Sequence, residues 1–467
     1  MKKRKALTAT ELRDMKVLVV GLGRSGMAAC GVLRDIGSAV KATDTRRGED
    51  LDSALSELVK RDVQVELGRN SIEFAGDCDL LVMSPGVPLE IELVRWARTQ
   101  SKTVIGEVEL AWCLSDANFV AVTGTNGKST TVSLLGTILS GASSRVRVGG
   151  NIGLPISSIA CGLGPDWTMV IEISSFQLDT CLSFSPSVSV LLNITPDHLD
   201  RYPSYEAYAQ SKAQLFANQT RDDMAVINHD DRESLKASRD AICRKLFFSL
   251  TEELDEGAFV KGERVVVRAG GEEREIFLTQ DLRIRGPHNL ANSLAASLAA
   301  TALGLEPELI RKGVREFEGL EHRLEFAGSI GGVDFINDSK ATNLDSLKTA
   351  LEAMHAPVLL IAGGRDKGGD FTEVSSLVGE KVKTIYAIGE AREKLRDAFS
   401  ALTEVRLADG LEAAVRGAMD SAAPSDVVLL SPGCASFDMF DDFEHRGRVF
   451  KQIVTKLKQE NEAPSHG

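Results

Sequence analysis

Residues 119–131, FVAVTGTNGKSTT, are the segment that most constrains how this chain can fold. An apolar, β-branched run ends at Gly124 and a helical pattern begins after Lys128, which predicts a buried strand, a glycine turn and the start of a helix. The free N–H groups and the positive dipole end of such a helix suit a phosphate. Lys128 can reach outer phosphates, and the hydroxyl of Ser129 or Thr130 can bind Mg²⁺. The segment therefore predicts a nucleotide site in an α/β domain.

The spacing of this loop departs from the usual P-loop, which has four residues between its first glycine and Gly-Lys. Here Val122 occupies the first glycine position, so Gly124-Thr125-Asn126-Gly127 is a shortened version. The alternative is an ordinary glycine-rich β–α turn that carries a surface lysine. The coincidence of strand, glycines, lysine and hydroxyls favours the phosphate site.

Composition narrows the class of protein. A chain of 467 residues is too long for one core and predicts about two to four domains. A formal net charge of −13 argues against a general nucleic-acid binder. The seven cysteines are scattered, with no CxxC, which favours reduced thiols and the cytoplasm. The basic start MKKRK lacks a following apolar region and no stretch of 18 apolar residues occurs, so we expect neither a signal peptide nor a membrane anchor.

Residues 1–115 are predicted to form a first, Rossmann-like α/β domain. An apolar strand at 16–20 runs into the GxGxxG pattern of residues 21–26, and a second strand, at 39–43, ends at the acidic Asp44. A further strand and turn end in Ser84-Pro85-Gly86. This pattern alone supports a dinucleotide-binding domain, and hence an NAD-dependent oxidoreductase. That alternative leaves the Lys128 loop without a role.

Residues 116–319 are predicted to form a central domain around the phosphate loop. The strand at 168–173 places Glu172 near its end, and the strand at 188–194 leads to His198. Ligands bind at the carboxyl ends of parallel strands, so Lys128, Glu172 and His198 can converge as a phosphate and metal site. The alternatives are a capping or solvated carboxylate for Glu172 and a loop residue bonded to backbone for His198. Residues 245–285 alternate between apolar runs and turns, which indicates antiparallel hairpins at the edge of the domain.

Lys212 lies on the apolar face of a helix that follows Pro203. Tyr205, Tyr208, Leu215 and Phe216 mark that face by their 3–4 spacing. Such a lysine can extend its ammonium to water. It can also be held inside for function, where burial lowers its pKa. The spacing does not decide between the two.

Residues 320–467 are predicted to form a third α/β domain. Strands at 333–336, 358–362, 384–388 and 427–430 each end in a polar or glycine-rich loop, which indicates a parallel sheet with its site on one edge. Two of these loops carry Lys340 and Lys367, which could receive carboxylates or phosphates. The alternative is that both are ordinary surface lysines.

Taken together, the chain resembles the Mur ligases, the ATP-dependent amide ligases of peptidoglycan precursor synthesis. The phosphate loop is common to the superfamily, which includes folylpolyglutamate synthase. The segment Asp44-Thr-Arg46 in the first domain argues against that enzyme. The more specific motifs are GGNIG (149–153), EISSFQL (172–178), NITPDHLDRY (193–202), GPHNLAN (286–292), EHRLEF (321–326), NDSKATN (337–343), GGRDKGGDF (363–371) and SPGCASFDMF (431–440).

The resemblance covers nearly the whole chain. Within the family, the motifs are most similar to those of the branch that adds D-glutamate. It implies three α/β domains: a Rossmann-like UDP-substrate domain, a central P-loop ATPase-like parallel sheet with edge hairpins, and a Rossmann-like amino-acid domain. It implies a cytoplasmic, monomeric enzyme that joins D-glutamate to UDP-N-acetylmuramoyl-L-alanine. ATP would be consumed through an acyl phosphate, with two Mg²⁺ ions.

The resemblance also assigns roles to nucleotide-binding residues. For the UDP substrate it implies Arg24, Ser25, Asp44, Thr45, Arg46, Ser84, Pro85, Gly86, Asn151 and His198. For ATP it implies Gly124, Thr125, Asn126, Gly127, Lys128, Ser129, Thr130, Asn292 at the adenine, Arg323 at the phosphates and Asp338 at the ribose. A uridine nucleotide then replaces NAD as the expected ligand of the first domain.

The remaining roles concern catalysis, metal and amino acid. The implied catalytic residues are Lys128, Glu172, His198, Lys212 and Lys340, and the implied metal ligands are Ser129, Thr130, Glu172, His198 and Lys212. Lys212 would serve as a carbamate formed with CO₂, which turns a cation on an apolar face into an anion that can bind Mg²⁺. D-glutamate would meet Lys340, Thr342, Lys367, Ser436, Phe437 and Phe443. Phe437 departs from the leucine expected at its position.

A nucleotide-driven switch or binding protein is the other alternative. It would explain Lys128 but not the loops that carry Lys340 and Ser436. Release of ADP that depends on D-glutamate distinguishes a ligase from such a switch.

Overall fold

A computed structural model describes residues 5–47, 52–151, 153–197, 201–284, 286–366 and 368–462. They form two compact units. The first contains the described residues up to Leu282 together with Leu290–Phe317, and the second contains Arg283–Asn289 and the described residues from Glu318 onward. The first unit carries two sheets and the second carries one, as expected for three α/β regions.

The first sheet consists of five parallel strands. They are β1 (Lys16–Val20), β2 (Ala39–Asp44), β3 (Gln64–Leu67), β4 (Leu80–Met83) and β5 (Thr103–Gly106). The helices of this region are α1 (Ala9–Asp14), α2 (Arg24–Asp35), α3 (Asp52–Lys60), α4 (Ile72–Ala75), α5 (Glu92–Thr99) and α6 (Glu107–Cys113). The strand order β3-β2-β1-β4-β5 places a topological switch point between β1 and β4, where such sheets bind ligands.

The second sheet has nine strands. They are β6 (Asn118–Thr123), β7 (Val146–Gly150), β8 (Thr168–Glu172), β9 (Val188–Leu191), β10 (Met224–Asn228), β11 (Arg244–Ser249), β12 (Gly257–Lys261), β13 (Arg264–Ala269) and β14 (Glu272–Leu278). The helices are α7 (Lys128–Ala142), α8 (Ile156–Ala160), α9 (Ser175–Leu178), α10 (Tyr205–Ala213), α11 (Arg232–Ala237), α12 (Pro287–Ala302) and α13 (Pro307–Glu316), with 3₁₀ turns at Gln214–Phe216 and Thr279–Asp281.

The strand order of this sheet is β14-β13-β12-β11-β10-β9-β6-β8-β7. Because β6 lies between β8 and β9, its loop is flanked by the ends of both neighbours. The antiparallel hairpins predicted over residues 245–285 are confirmed for β12, β13 and β14. They are wrong for β11, which pairs in parallel with both β10 and β12. The connection between strands sets their direction, and apolar alternation does not report it.

The third sheet has six strands. They are β15 (Glu325–Ile330), β16 (Val333–Asn337), β17 (Val358–Gly363), β18 (Val382–Ile388), β19 (Glu404–Leu407) and β20 (Val427–Leu430). The helices are α14 (Leu344–Glu352), α15 (Ser375–Lys381), α16 (Arg392–Phe399), α17 (Leu411–Ser421) and α18 (Phe443–Glu462), with a 3₁₀ turn at Phe371–Val374. The order β15-β16-β20-β17-β18-β19 is parallel except for β15, and a hydrophobic core covers each face.

All four strands predicted in this region are present, so the predicted parallel sheet is confirmed. The sequence reading missed β15 and β19. Both are edge strands whose residues are mostly half-buried or exposed, and they therefore lack the apolar runs that mark the buried strands. Among the described residues, no helix is both long enough and apolar enough to span a bilayer.

Candidate active site

The phosphate loop joins β6 to α7 as the sequence predicts. Gly127 is the N-cap of α7 and has a left-handed φ of 85°. A Cβ atom there would lie 2.2 Å from Asn292 Oδ1, so only glycine fits between the loop and α12. Ser129 and Thr130 follow in the first turn and are buried. The structure thus brings Asn292 against the loop.

Two lysine amines converge on the phosphate loop. Lys128 Nζ donates to the carbonyls of Gly124, at 2.9 Å, and Thr125, at 2.7 Å. Lys212 Nζ donates to the same Gly124 carbonyl at 2.9 Å. Two lysine amines at one carbonyl place nitrogen donors for an anion at this end of the loop.

Glu172 lies beside the loop at the end of β8. Its carboxylate accepts hydrogen bonds from Ser129 Oγ at 2.7 Å and from Asn151 Nδ2 at 3.0 Å. Glu172 is buried, whereas Asn151 is exposed at the end of β7. A carboxylate and a hydroxyl in contact are oxygen donors of the kind that Mg²⁺ prefers. These residues therefore fit the implied magnesium site, although no group of three or more His, Cys, Asp or Glu residues gathers within the described ranges.

Lys212 is held inside the protein, which answers the question left open by its spacing. Its side chain is 2% exposed, and Nζ lies 4.6 Å from the centre of the Tyr208 ring. Burial lowers the pKa of Lys212 well below its ordinary value, and the charge of Lys128 lowers this pKa further. Asp197 and Glu172 act in the opposite direction but do not reverse the shift. The neutral amine is consequently favoured at this position.

Two residues that shape the phosphate loop were not predicted from the sequence to have a role there. Asn193 Oδ1 accepts from the backbone N–H groups of Thr125, at 3.1 Å, and Asn126, at 2.8 Å. The hydroxyl of Tyr208 lies 3.1 Å from Thr125 Oγ1. The signal for Asn193 was its place just after β9, the strand next to β6, which is the argument that identified Glu172.

Most of the predicted UDP residues lie at the switch point of the first sheet. Asp44 Oδ2 accepts from the Leu22 N–H at 2.6 Å, and Arg46 pairs with the same carboxylate at 2.8 Å. Burial alone would raise the pKa of Asp44, but the hydrogen bonds from Arg46 and Leu22 outweigh it and lower the pKa to about 2. At Gly26, a Cβ would lie 1.8 Å from the Gly21 carbonyl oxygen, so the third glycine permits close packing of α2 on β1.

Further predicted UDP residues border the same crevice, whereas Asn151 lies beside Glu172 at the second sheet. Ser84 Oγ, after β4, donates to the Gly21 carbonyl at 2.7 Å, which ties the two loops of the switch point together. Arg24 donates to the Gly153 carbonyl. The remaining members, Ser25, Thr45, Pro85 and Gly86, are half-buried or exposed at this edge.

In the second unit, four predicted amino-acid residues lie at the carboxyl edge of the third sheet. Lys340 follows β16, and its Nζ lies 5.0 Å from the centre of the Phe443 ring at the start of α18. Ser436 follows β20 and is buried. Thr342 N–H donates to the Lys340 carbonyl at 2.9 Å. Phe437, the residue after Ser436, is 63% exposed.

Asp338 and Arg323 lie near one another in the same unit. Asp338 accepts from the Leu324 N–H at 3.2 Å and from Ser431 Oγ at 2.9 Å. Burial raises the pKa of Asp338 to about 7, although these hydrogen bonds and the charge of Arg323 act against the rise. Two predicted site residues, His198 and Lys367, lie outside the described residues.

Three family matches divide the chain. Residues 15–106 match the Mur ligase MurD-like N-terminal domain. Residues 122–300 match the Mur ligase middle domain, and residues 322–434 match the Mur ligase glutamate ligase domain.

Curated relatives are similar over nearly the whole chain. The UDP-N-acetylmuramoylalanine–D-glutamate ligase of Koribacter versatilis (strain Ellin345) is 42% identical over 96% of this chain and 99% of its own length. The ligase of the same name from Acidobacterium capsulatum is 43% identical over 95% of this chain and 97% of its own.

Solved structures share the fold at low identity. The UDP-N-acetylmuramate-alanine ligase MurC of Thermotoga maritima has a TM-score of 0.59 and 18% identity, covering 95% of this chain and 100% of its own. The MurF ligase of the same organism, solved with ADP, has a TM-score of 0.58 and 16% identity, covering 98% and 99%.

Proposed function

Since this chain belongs to the Mur ligase family, we propose that it joins D-glutamate to UDP-N-acetylmuramoyl-L-alanine at the expense of ATP. The observation that carries the proposal is its 42% identity, over 96% of its length, to a ligase named for that reaction. The position of Lys128 at the phosphate loop supports it, because a positive charge there stabilises the phosphates of ATP. The UDP substrate, D-glutamate and ATP are its small-molecule partners.

We propose that the regions of the three sheets each bind a different substrate. Residues 1–115 would bind the UDP substrate, residues 116–319 ATP, and residues 320–467 the amino acid. We assign the UDP moiety to the crevice between β1 and β4, where Asp44 and Ser84 fix the loops. We assign D-glutamate to the loops after β16 and β20, with Lys340, Thr342, Ser436 and Phe443, joined by Lys367 and Phe437.

The chemistry begins with activation of a carboxylate, which is a poor electrophile. An oxygen of the alanyl carboxylate attacks the γ-phosphorus of ATP, the bond to the β,γ-bridging oxygen breaks, and an acyl phosphate and ADP result. The amine of D-glutamate then attacks the acyl carbon. The tetrahedral intermediate collapses, phosphate leaves with the C–O bond electrons, and the nitrogen loses a proton. Positioning and charge neutralisation supply most of the rate in such transfers.

The chain's residues have separate tasks in this sequence. Lys128 and the loop N–H groups would hold the ATP phosphates, and Asn292, Arg323 and Asp338 would hold the adenine, the phosphates and the ribose. Lys340 would neutralise charge at the acyl phosphate. Two Mg²⁺ ions, when bound through Ser129, Thr130, Glu172, His198 and Lys212, would offset the charge of the phosphate oxygens.

We also propose that Lys212 carries a carbamate. Only a neutral amine attacks CO₂, and burial beside Lys128 favours the neutral form of Lys212. The product is an anion, which the ammonium of Lys128 at the same carbonyl would attract, whereas it would repel an ammonium on Lys212. It would also supply a carboxylate-like ligand for the second Mg²⁺.

One assay tests the proposed reaction. Phosphate release is measured with ATP and UDP-N-acetylmuramoyl-L-alanine while the amino acid is varied among D-glutamate, L-glutamate, L-lysine and diaminopimelate. We expect release with D-glutamate alone, and release with diaminopimelate or L-lysine instead would refute the assignment. We further propose that the enzyme is a cytoplasmic monomer. None of its seven cysteines, all of which the structure describes, is in a disulfide, which agrees with the cytoplasm. Light scattering of the purified protein tests the monomer.

A further inference from the structure

Arg446 is a buried cation to which neither the motifs nor the proposed reaction assigns a role. It lies in the first turn of α18, three residues after Phe443, and its side chain is fully buried. It shares a stripe at 3–4 spacing with Phe450, Ile453 and Leu457, which pack in the core of the second unit. A guanidinium on an apolar stripe is rarely buried without a specific partner.

The partners of Arg446 are two loops at the carboxyl edge of the sheet. Its Nη2 donates to the Ser339 carbonyl at 2.7 Å, and its Nε donates to Ser339 Oγ at 3.0 Å. Both Nη atoms also donate to the Cys434 carbonyl at 3.3 Å. Ser339 immediately precedes Lys340, and Cys434 lies two residues before Ser436. One side chain therefore joins the loop after β16 to the loop after β20.

The same network reaches the start of α18 and a third loop. Ser339 Oγ donates to the Phe443 carbonyl at 2.8 Å, which fixes the residue whose ring lies under Lys340 Nζ. The Ala435 carbonyl accepts from the Arg365 N–H at 2.9 Å and from Arg446 at 3.5 Å. Arg446 thus binds Ser339 and Cys434 directly, and it reaches Phe443 through Ser339. Lys340 lies one residue after Ser339, and Ser436 lies two residues after Cys434.

Burial of the Arg446 guanidinium costs free energy. Every hydrogen-bond partner of Arg446 among the described residues is a hydroxyl or a backbone carbonyl, and none is a carboxylate. Burial lowers the pKa of Arg446 to about 10, against the charges of Asp438 and Asp338. The hydrogen bonds to the two loops offset the cost of desolvating this cation. The favourable part of its energy therefore comes from contacts that join the loops.

We propose that Arg446 is a positioning residue that holds the loops of Lys340 and Ser436 at a fixed separation and so preforms the amino-acid site. The inference rests on the proposed function, which places D-glutamate at these loops. The planar fork of arginine supplies donors in fixed directions, so it can bridge two carbonyl-lined loops that a hydrocarbon chain cannot. Arg446 acts through Ser339 and Cys434 and does not itself touch the substrate.

The test is steady-state kinetics of Arg446→Lys and Arg446→Met. We expect the KM for D-glutamate to rise roughly 10- to 100-fold in Arg446→Met, since small misplacements of binding groups cost this much. The KM values for ATP and for the UDP substrate should change less than about twofold. Lysine keeps the charge but loses the fork, so Arg446→Lys should fall between wild type and Arg446→Met.

A second variant separates positioning from loss of structure. Ser339→Ala removes one acceptor of the guanidinium and leaves the backbone intact. If Arg446 acts through Ser339, the effects of Ser339→Ala and Arg446→Lys on kcat/KM for D-glutamate should be less than additive. Arg448→Met, an exposed arginine two residues along the same helix, is the matched control and should leave all three KM values unchanged. Melting temperatures identify any variant that fails to fold.

The outcomes are distinct. If wild type shows no phosphate release that depends on D-glutamate, the proposed function fails whatever the variants do. If wild type is active and folded Arg446→Lys and Arg446→Met shift all three KM values equally, or shift none, the positioning role is overturned. The same holds if Ser339→Ala and Arg446→Lys are strictly additive.

Discussion

The amine of Lys212 is buried, and its surroundings disfavour the protonated form. An ammonium there would face the ammonium of Lys128 across the Gly124 carbonyl. The spacing of α10 showed that Lys212 lies on an apolar face, but it gave no information about Lys128, which is 84 residues earlier in the chain. Only the fold brings the two amines together, so the choice between a solvated and an enclosed lysine required the structure.

Lys212→Ala should lower kcat by about 100-fold or more, because it removes a group that orders the phosphate end of the site. If the functional group is the carbamate, added propionate should restore part of the activity and added propylamine should not. Phosphate release at increasing concentrations of each compound measures this. Lys236→Ala, an exposed lysine on the neighbouring α11, is the control and should match wild type. Rescue by propylamine instead would contradict the carbamate.

Asp338 predicts a pH dependence of stability. An aspartate in an unfolded chain has a pKa of about 3.9, whereas burial raises the pKa of Asp338 to about 7 in the folded protein. Between these values the folded state binds more protons, so this group's contribution to stability falls as pH rises from about 4 to about 7. Asp338→Asn removes that contribution. We expect the variant to gain stability relative to wild type at pH 8, on the order of 2–4 kcal/mol.

Urea unfolding at pH 4.5, 6 and 8 measures the difference in stability between Asp338→Asn and wild type. The difference should grow with pH over this range. Asp334→Asn, a half-buried aspartate on the strand β16 that Asp338 follows, is the comparison and should show a smaller change. A difference that stays constant from pH 4.5 to pH 8 would count against a protonated Asp338.

Among elements, the turn between β6 and α7 has the narrowest tolerance. Gly127→Ala would place a methyl group 2.2 Å from Asn292 Oδ1 at a left-handed φ of 85°. The loop and α12 must then separate, and we expect the KM for ATP to rise by about 100-fold or more. Phosphate release at varied ATP concentration tests this.

Gly141→Ala is the matched control on the same helix. No atom lies within 4 Å of a Cβ at Gly141, which is near the end of α7. Alanine is the better helix former by about 1 kcal/mol, so the melting temperature should stay equal or rise while the KM for ATP is unchanged. Loss of ATP affinity in both variants would mean that the effect is not local to the turn.

The elements that could be predicted are those with apolar runs. Strands β1, β4, β6, β8, β9, β16, β17, β18 and β20 follow from such runs, and their order along the chain indicates parallel sheets. The direction of β11 and the existence of β15 and β19 could not be predicted, because edge strands and connections depend on neighbours that are distant in sequence. The same limit explains Arg446 and Asn193, whose partners lie in other loops. Membership in the family, expected from the motifs, is confirmed by the comparisons.

For the whole molecule, the residues proposed to bind ATP are divided between the two units. Asn292 belongs to the first unit, whereas Arg323, Asp338 and Lys340 belong to the second. If one ATP meets both sets, binding should favour a more closed arrangement. We expect the radius of gyration from X-ray scattering to fall when a non-hydrolysable ATP analogue and the UDP substrate are added together. Identical scattering with and without both ligands would contradict closure, and Gly127→Ala should show a reduced response.

The order of the third sheet has a consequence for synthesis of the chain on the ribosome. β20 is the last of its six strands to be made, yet it lies in the middle, between β16 and β17. Until residue 430 has emerged, the nascent chain holds two part-sheets, each with an unpaired and largely apolar inner edge. Such edges invite pairing with other chains. A ribosome that pauses shortly before Val427 would therefore leave both edges exposed to aggregation. We expect chaperones to bind the nascent chain most at that stage.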